Sequence, residues 1–189
     1  MFIQSEATPN PATLKFIPGK PVLPTGVLDY RDADAALASP LASSLFGIDG
    51  VNGVFLGQDF ISVTKRENLA WQHLKPAVLG VIMEHYMSGA PVVAGAEHSS
   101  NAADTAAEEY SPDDQEIVDT IKELIETRVR PAVANDGGDI VFRGFRDGVV
   151  TLAMRGACSG CPSSTATLRN GIENMLKHYV PEVTEVRPV

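Results

Sequence analysis

Cys158 and Cys161 are the only thiols among 189 residues, and they stand together in Gly156-Ala157-Cys158-Ser159-Gly160-Cys161-Pro162. Such a pair can cycle between dithiol and disulfide, or bind a soft metal as thiolates. Metal binding of this kind wants four thiolate or imidazole ligands, so one chain encodes half a site. The histidines His73, His85, His98 and His178 keep no ligand spacing with the cysteines. His178 falls at the far end of a helix predicted to begin beside Cys161, ~22 Å away at the rise of an α-helix. Intrachain zinc is therefore short of ligands. Zinc or an iron–sulfur cluster shared by two chains, each giving Cys158 and Cys161, completes the set.

The setting of the pair bears on each reading. For a thiol–disulfide oxidoreductase, Pro162 is favourable, and the following helix could lower the pKa of the first thiol. Thioredoxin-like sites, however, follow a strand of a βαβ unit and carry an aromatic residue before the first cysteine. Here a predicted hairpin precedes the pair, and Ala157 occupies that place. For a shared cluster, Gly156 and Gly160 let backbone N–H groups approach sulfur, and the next helix points its positive end at the site. Ser159, Ser163 and Ser164 are small hydroxyls able to donate to cluster or cysteine sulfur. A cluster held at a subunit seam by two ligands per chain is easily released, which suits handing it on. The plainest alternative is two reduced thiols packed in a loop, since free cysteine behaves as a small hydrophobe.

The elements that position the pair form the second of two predicted units, residues 112–189. Ser111 reads as an N-cap with Pro112 at the first helical position and acids in the first turn. Ile117, Ile121, Leu124, Ile125 and Val129 give a buried stripe, with Pro131 ending or kinking the helix. Asp136-Gly137-Gly138-Asp139 is a tight turn into a strand over 140–144, and Arg146-Asp147-Gly148 returns the chain into a strand over 149–154. The CxxC loop comes next. A helix over 163–179, with Leu168, Ile172, Met175 and Leu176 on one face, and a strand over 182–187 complete an α-β-β-α-β order.

The first unit, residues 1–93, also mixes strands and helices. Strands are predicted over 2–6 and 12–17, joined across Thr8-Pro9-Asn10-Pro11. Ser39 caps a helix over 40–46, and alternating apolar residues make a hairpin of 51–56 and 59–64. Asn68 opens a helix ending at Gly89. The fold class is α+β: two small domains joined by a flexible acidic linker over 94–111. The alternative for that linker is an exposed Ala-rich helix.

Charge follows the same division. Residues 1–95 carry 6 basic and 8 acidic side chains, and residues 117–189 carry 9 of each. The stretch 96–116, the connector and the helix start after it, holds 7 acids and no Lys or Arg, so most of the net charge of −9 belongs there. With no basic stripe to contact phosphates, nucleic-acid binding is excluded. No apolar run approaches the ~20 residues that span a bilayer. The opening Met1-Phe2-Ile3-Gln4-Ser5-Glu6 lacks the features of a secretory signal or an Arg-rich transit peptide. A cytoplasmic, bacterial location is the default expectation; the mitochondrial matrix is the alternative, for a processed eukaryotic form.

Asp136-Gly137-Gly138-Asp139, the run from Gly156 to Ser164, Thr167-Leu168, Gly171-Ile172-Glu173 and Pro181-Glu182-Val183 together resemble the C-terminal domain of NifU-like (Nfu-type) proteins. Glu6-Ala7-Thr8-Pro9-Asn10-Pro11, Ser39-Pro40-Leu41-Ala42, Asp59-Phe60-Ile61-Ser62-Val63-Thr64 and Ile82-Met83-Glu84-His85-Tyr86 are similar to the N-terminal domain fused to it in mitochondrial and related bacterial members. The resemblance implies a scaffold or carrier, not an enzyme. It implies a 4Fe–4S cluster that bridges a homodimer, with Cys158 and Cys161 as ligands. Upstream assembly proteins would supply the cluster and client apo-proteins would receive it. The residues 136–139 are expected to serve the fold, and the first unit to recognise partners.

Overall fold

Gln4–Ala7 (β1) and Thr13–Ile17 (β2) pair antiparallel in the computed structural model, which describes residues 1–95, 109–159 and 162–189. The turn between them is built by side chains. The Thr8 hydroxyl donates to the carbonyls of Asn10 (2.8 Å) and Thr13 (2.9 Å), and the Asn10 side-chain oxygen accepts from the Ala12 N–H at 3.0 Å. Leu28–Tyr30 (β3) is a short edge strand that the sequence reading did not contain. Pro40–Phe46 (α1) opens as expected: buried Ser39 accepts from the Ala42 N–H at 3.1 Å and donates to the Val92 carbonyl at 2.6 Å. Val51–Leu56 (β4) and Ile61–Lys65 (β5) are the predicted hairpin. The sheet runs β1-β2-β5-β4-β3.

Trp71–Ser88 (α2) begins three residues later than Asn68, which does not cap it; a turn from Arg66 to Leu69 comes first, and Ala70 is the cap. It ends at Gly89 in the left-handed region (φ 70), as the glycine required. Val78 and Ile82 join Phe16, Leu41, Leu45, Leu56, Ile61 and Val63 in the first core, and Leu74 is buried as well.

The chain divides into units Met1–Asn101 and Ala102–Val189, with separate cores. Residues 96–108, most of the expected linker, lie outside the described residues. Its last part is not linker in structure. Glu109–Tyr110 (β6) is a two-residue strand, because the Tyr110 ring packs against Phe142 at 6.4 Å and Lys122 lies over both rings.

Ser111 caps a 3-10 turn over Pro112–Asp114 that leads into Gln115–Leu124 (α3). The helix does not stop near Pro131. It widens into a π turn over Ile125–Val129 and resumes as Arg130–Asn135 (α4). Val118, Ile121, Ile125, Val129 and Val133 are buried. Three consecutive steps of four residues outrun a 3.6 period, and the wide turn keeps them on one face.

Gly138–Arg146 (β7) and Val149–Gly156 (β8) form an antiparallel hairpin, longer at the Cys158 end than predicted. Its turn has Asp147 at φ 50 and Gly148 at φ 79, the primed geometry that matches strand twist. Pro162–Tyr179 (α5) buries Ile172 and Leu176 on the hairpin's core, and Glu185–Pro188 (β9) runs parallel to β8. The second sheet is β6-β7-β8-β9. Glu173 fastens α5 to β9: one oxygen accepts from the Val186 N–H at 3.1 Å, the other from Lys177 at 2.6 Å. Among the described residues no helix is long and apolar enough to cross a membrane.

Candidate functional site

Cys158 lies two residues beyond the end of β8, in a turn held from three directions. Gly156, at φ 61, pairs across the hairpin with Gly138, and its carbonyl accepts from the Ser159 N–H (3.1 Å) and hydroxyl (2.9 Å). The Ala157 N–H donates to the Gly137 carbonyl at 3.2 Å. From α5, the Thr165 hydroxyl donates to the Cys158 carbonyl at 3.0 Å.

Gly138 determines how close the hairpin comes to the thiol. A Cβ there would lie 2.5 Å from the Cys158 sulfur, 2.7 Å from the Arg155 carbonyl and 3.1 Å from the Cys158 nitrogen. No side chain fits, so the strand backbone itself is the wall against which the sulfur rests. Gly137, at φ 79, makes the tight entry that the sequence predicted.

Cys158 is a free thiol, 6% exposed, and part of the second core. Burial pushes its pKa up to about 12, with the charges of Asp136 and Asp139 acting in the same direction. The sequence predicts surroundings that suit negative charge, the positive end of the next helix among them. Burial and the two carboxylates favour the protonated thiol. The Ser159 hydroxyl, which the sequence marks as able to donate to cluster or cysteine sulfur, donates to the Gly156 carbonyl. Gly160, Cys161 and the side chain of Ser164 lie outside the described residues.

Asp139 is not a turn residue, although the sequence grouped it with the turn. It is the second residue of β7, 3% exposed, and its carboxylate receives Arg130 in a fork: Nε to Oδ1 at 2.8 Å and Nη2 to Oδ2 at 2.9 Å. Arg130 also reaches Glu126 at 2.6 Å. These bonds hold its guanidinium charge firmly. Neither Arg130 nor the Gly138–sulfur contact was found from sequence. The two charged partners are nine positions apart across a helix end and a turn, where no local periodicity links them.

Three of the four histidines lie among the described residues. His85 is buried in the first core region, 7% exposed, with Nε2 lacking a hydrogen-bond partner; burial lowers its pKa. His178 stacks edge-on with Tyr179 at the end of α5, His73 is exposed, and His98 lies outside the described residues. Among the described residues no three His, Cys, Asp or Glu side chains are grouped to hold a metal. The soft donor described here is the Cys158 sulfur, buried in the second core with the Gly138 backbone close by.

Two family models match the chain: "Scaffold protein Nfu/NifU N terminal" over residues 3–89 and "NifU-like domain" over residues 121–187. A curated relative, NifU-like protein 4, mitochondrial, of Arabidopsis thaliana, is 53% identical over 188 residues, covering 98% of this chain and 65% of the relative. The chain thus spans just under two thirds of that protein's length. NFU1 iron-sulfur cluster scaffold homolog, mitochondrial, of Homo sapiens is 51% identical over 190 aligned positions, covering 100% of this chain and 72% of the relative. A solution structure of a NifU-like protein from Saccharomyces cerevisiae is similar with a TM-score of 0.41 at 23% identity, covering 51% of this chain and 87% of that one.

Proposed function

This chain belongs to the NifU-like (Nfu-type) family, and from that membership we propose that it is an iron–sulfur cluster carrier rather than an enzyme. The observation that carries the reading is the NifU-like match over 121–187, which contains both of the chain's thiols. Cys158 and Cys161 from each of two chains supply four thiolates to one 4Fe–4S cluster, which is cargo and not a resident cofactor. Upstream assembly proteins load it, and client apo-proteins take it.

The described sulfur fits such cargo. It is soft, sheltered from water, and approached closely by the backbone of Gly138. Binding must displace the proton that burial and the two aspartates retain, so each loading event releases protons. Release is the reverse: an acceptor thiolate replaces one cysteine at the seam, and the vacated thiol regains its proton. Burial of Cys158 favours its protonated form. The same property weighs against thiol–disulfide exchange, which needs a thiolate near neutral pH. Both curated relatives bear mitochondrial names, which supports the matrix alternative over the cytoplasmic default.

The test is anaerobic reconstitution with ferrous iron and sulfide. The full chain is expected to turn brown and bind iron and sulfide in equal amounts. Cys158→Ala and Cys161→Ala are each expected to bind neither. Full loading of either variant would refute the ligand assignment.

A further inference from the structure

We propose that Arg130 is a positioning residue for the cargo ligand: its fork onto Asp139 fixes the start of β7 and, through Gly138, the depth at which the Cys158 sulfur sits. This rests on the reading that Cys158 receives a cluster.

The chain of contacts is short and continuous. Both oxygens of Asp139 are taken by Arg130, a planar two-pronged match that fixes orientation as well as distance. The Asp139 side chain is 5% exposed and that of Arg130 31%, so the pair is sheltered from water on the strand's side. The residue before Asp139 is Gly138, whose backbone abuts the sulfur, and the one before that is Gly137, whose carbonyl holds Ala157. Thus two of the contacts that hold the thiol's turn come from the segment that Arg130 pins. A shift of β7 there would either open a gap beside the sulfur or drive backbone into it.

The π turn gives an independent reason. Arg130 is the first residue after the wide turn over Ile125–Val129. One extra residue in a turn rotates everything beyond it by about 100° relative to an unbroken α-helix. The irregularity therefore sets the side on which Arg130 emerges, and that side faces Asp139. Glu126, inside the π turn, takes the remaining arm of the guanidinium and steadies it. A local departure from helix geometry is thereby tied to the placement of one thiol.

The experiment uses the full chain. In a Cys161→Ser background without iron, Cys158 alkylation by iodoacetamide is followed by mass spectrometry alongside amide hydrogen exchange. Arg130→Lys keeps the charge and loses the fork; Arg130→Gln loses both. Each is expected to raise Cys158 alkylation about tenfold, since reactivity follows exposure. Exchange should quicken at 137–139 and 157–159 while β8 at Val150–Leu152 keeps its protection. With both cysteines restored, these variants are expected to lose iron to a chelator several-fold faster than the parent. Parental alkylation rates in both variants would overturn the proposal. So would alkylation that rises only in step with exchange at Val150–Leu152, the mark of a merely structural role. Should Arg130→Gln not fold, Arg130→Lys and the charge-free double variant Arg130→Gln/Asp139→Asn carry the same criteria. A parent chain that binds no iron would sink the carrier reading and leave the alkylation result to stand or fall separately.

Discussion

At the scale of single residues, the account turns on where the Cys158 proton resides. Burial acts first and the two aspartates second, together raising the thiol from its ordinary 9.0 to about 12. In a Cys161→Ser chain, alkylation of Cys158 should therefore keep climbing by about tenfold per pH unit from pH 7 to 10.5. A plateau below pH 9 would contradict the assignment. Asp136→Asn removes one of the opposing charges and is expected to speed alkylation at pH 8, whereas a conservative change at exposed Asp147 should leave it unchanged. The sign for stability follows from the direction of the shift. A thiol whose folded-state pKa is raised stabilises the fold below pH 9, and that contribution disappears as pH rises from 9 towards 12. Urea titrations of the parent against Cys158→Ala should converge across that alkaline window.

At the scale of elements, two glycine and serine positions separate the site from its support. Gly138→Ala places a methyl where sulfur and backbone already stand, which should cost about 1–3 kcal/mol in unit 102–189 by denaturant titration. The same change should abolish iron loading, because the thiol must move. Ser39→Ala removes both the α1 cap and the tie to Val92, and should cost about 1–2 kcal/mol in unit 1–101 with loading unchanged. Sequence anticipated the Ser39 cap, the β4–β5 and β7–β8 hairpins and the α5 face well, since each is encoded by neighbours within a few positions. It missed β3 and β6, whose two or three residues acquire strand geometry only from partners far along the chain. The π turn escaped as well. Pro131 signalled a disturbance, but the choice of a wide turn over a helix end depends on the tertiary stripe from Ile121 to Val133. For the site, the CxxC pair was legible and its flanking glycines drew notice. The buried carboxylate–guanidinium fork was not, because nothing in the spacing of Arg130 and Asp139 announces it.

At the scale of the whole molecule, the chain carries two cores, and Cys158 belongs to one of them. The family models likewise match the two units separately. We therefore expect residues 109–189 alone to load as much iron per chain as the full protein, and residues 1–95 to load none. We further expect the first unit to act on partner choice, to be read by transfer rate to an apo-protein and not by loading. What unites these expectations is that half a coordination sphere per chain requires a second chain. The measurement that tests this most directly is native mass spectrometry of the anaerobically reconstituted full chain. The account predicts a species of two chains with four iron and four sulfide, reverting to a lower mass when the cluster is removed by chelator. A cluster-bearing species containing a single chain would contradict it.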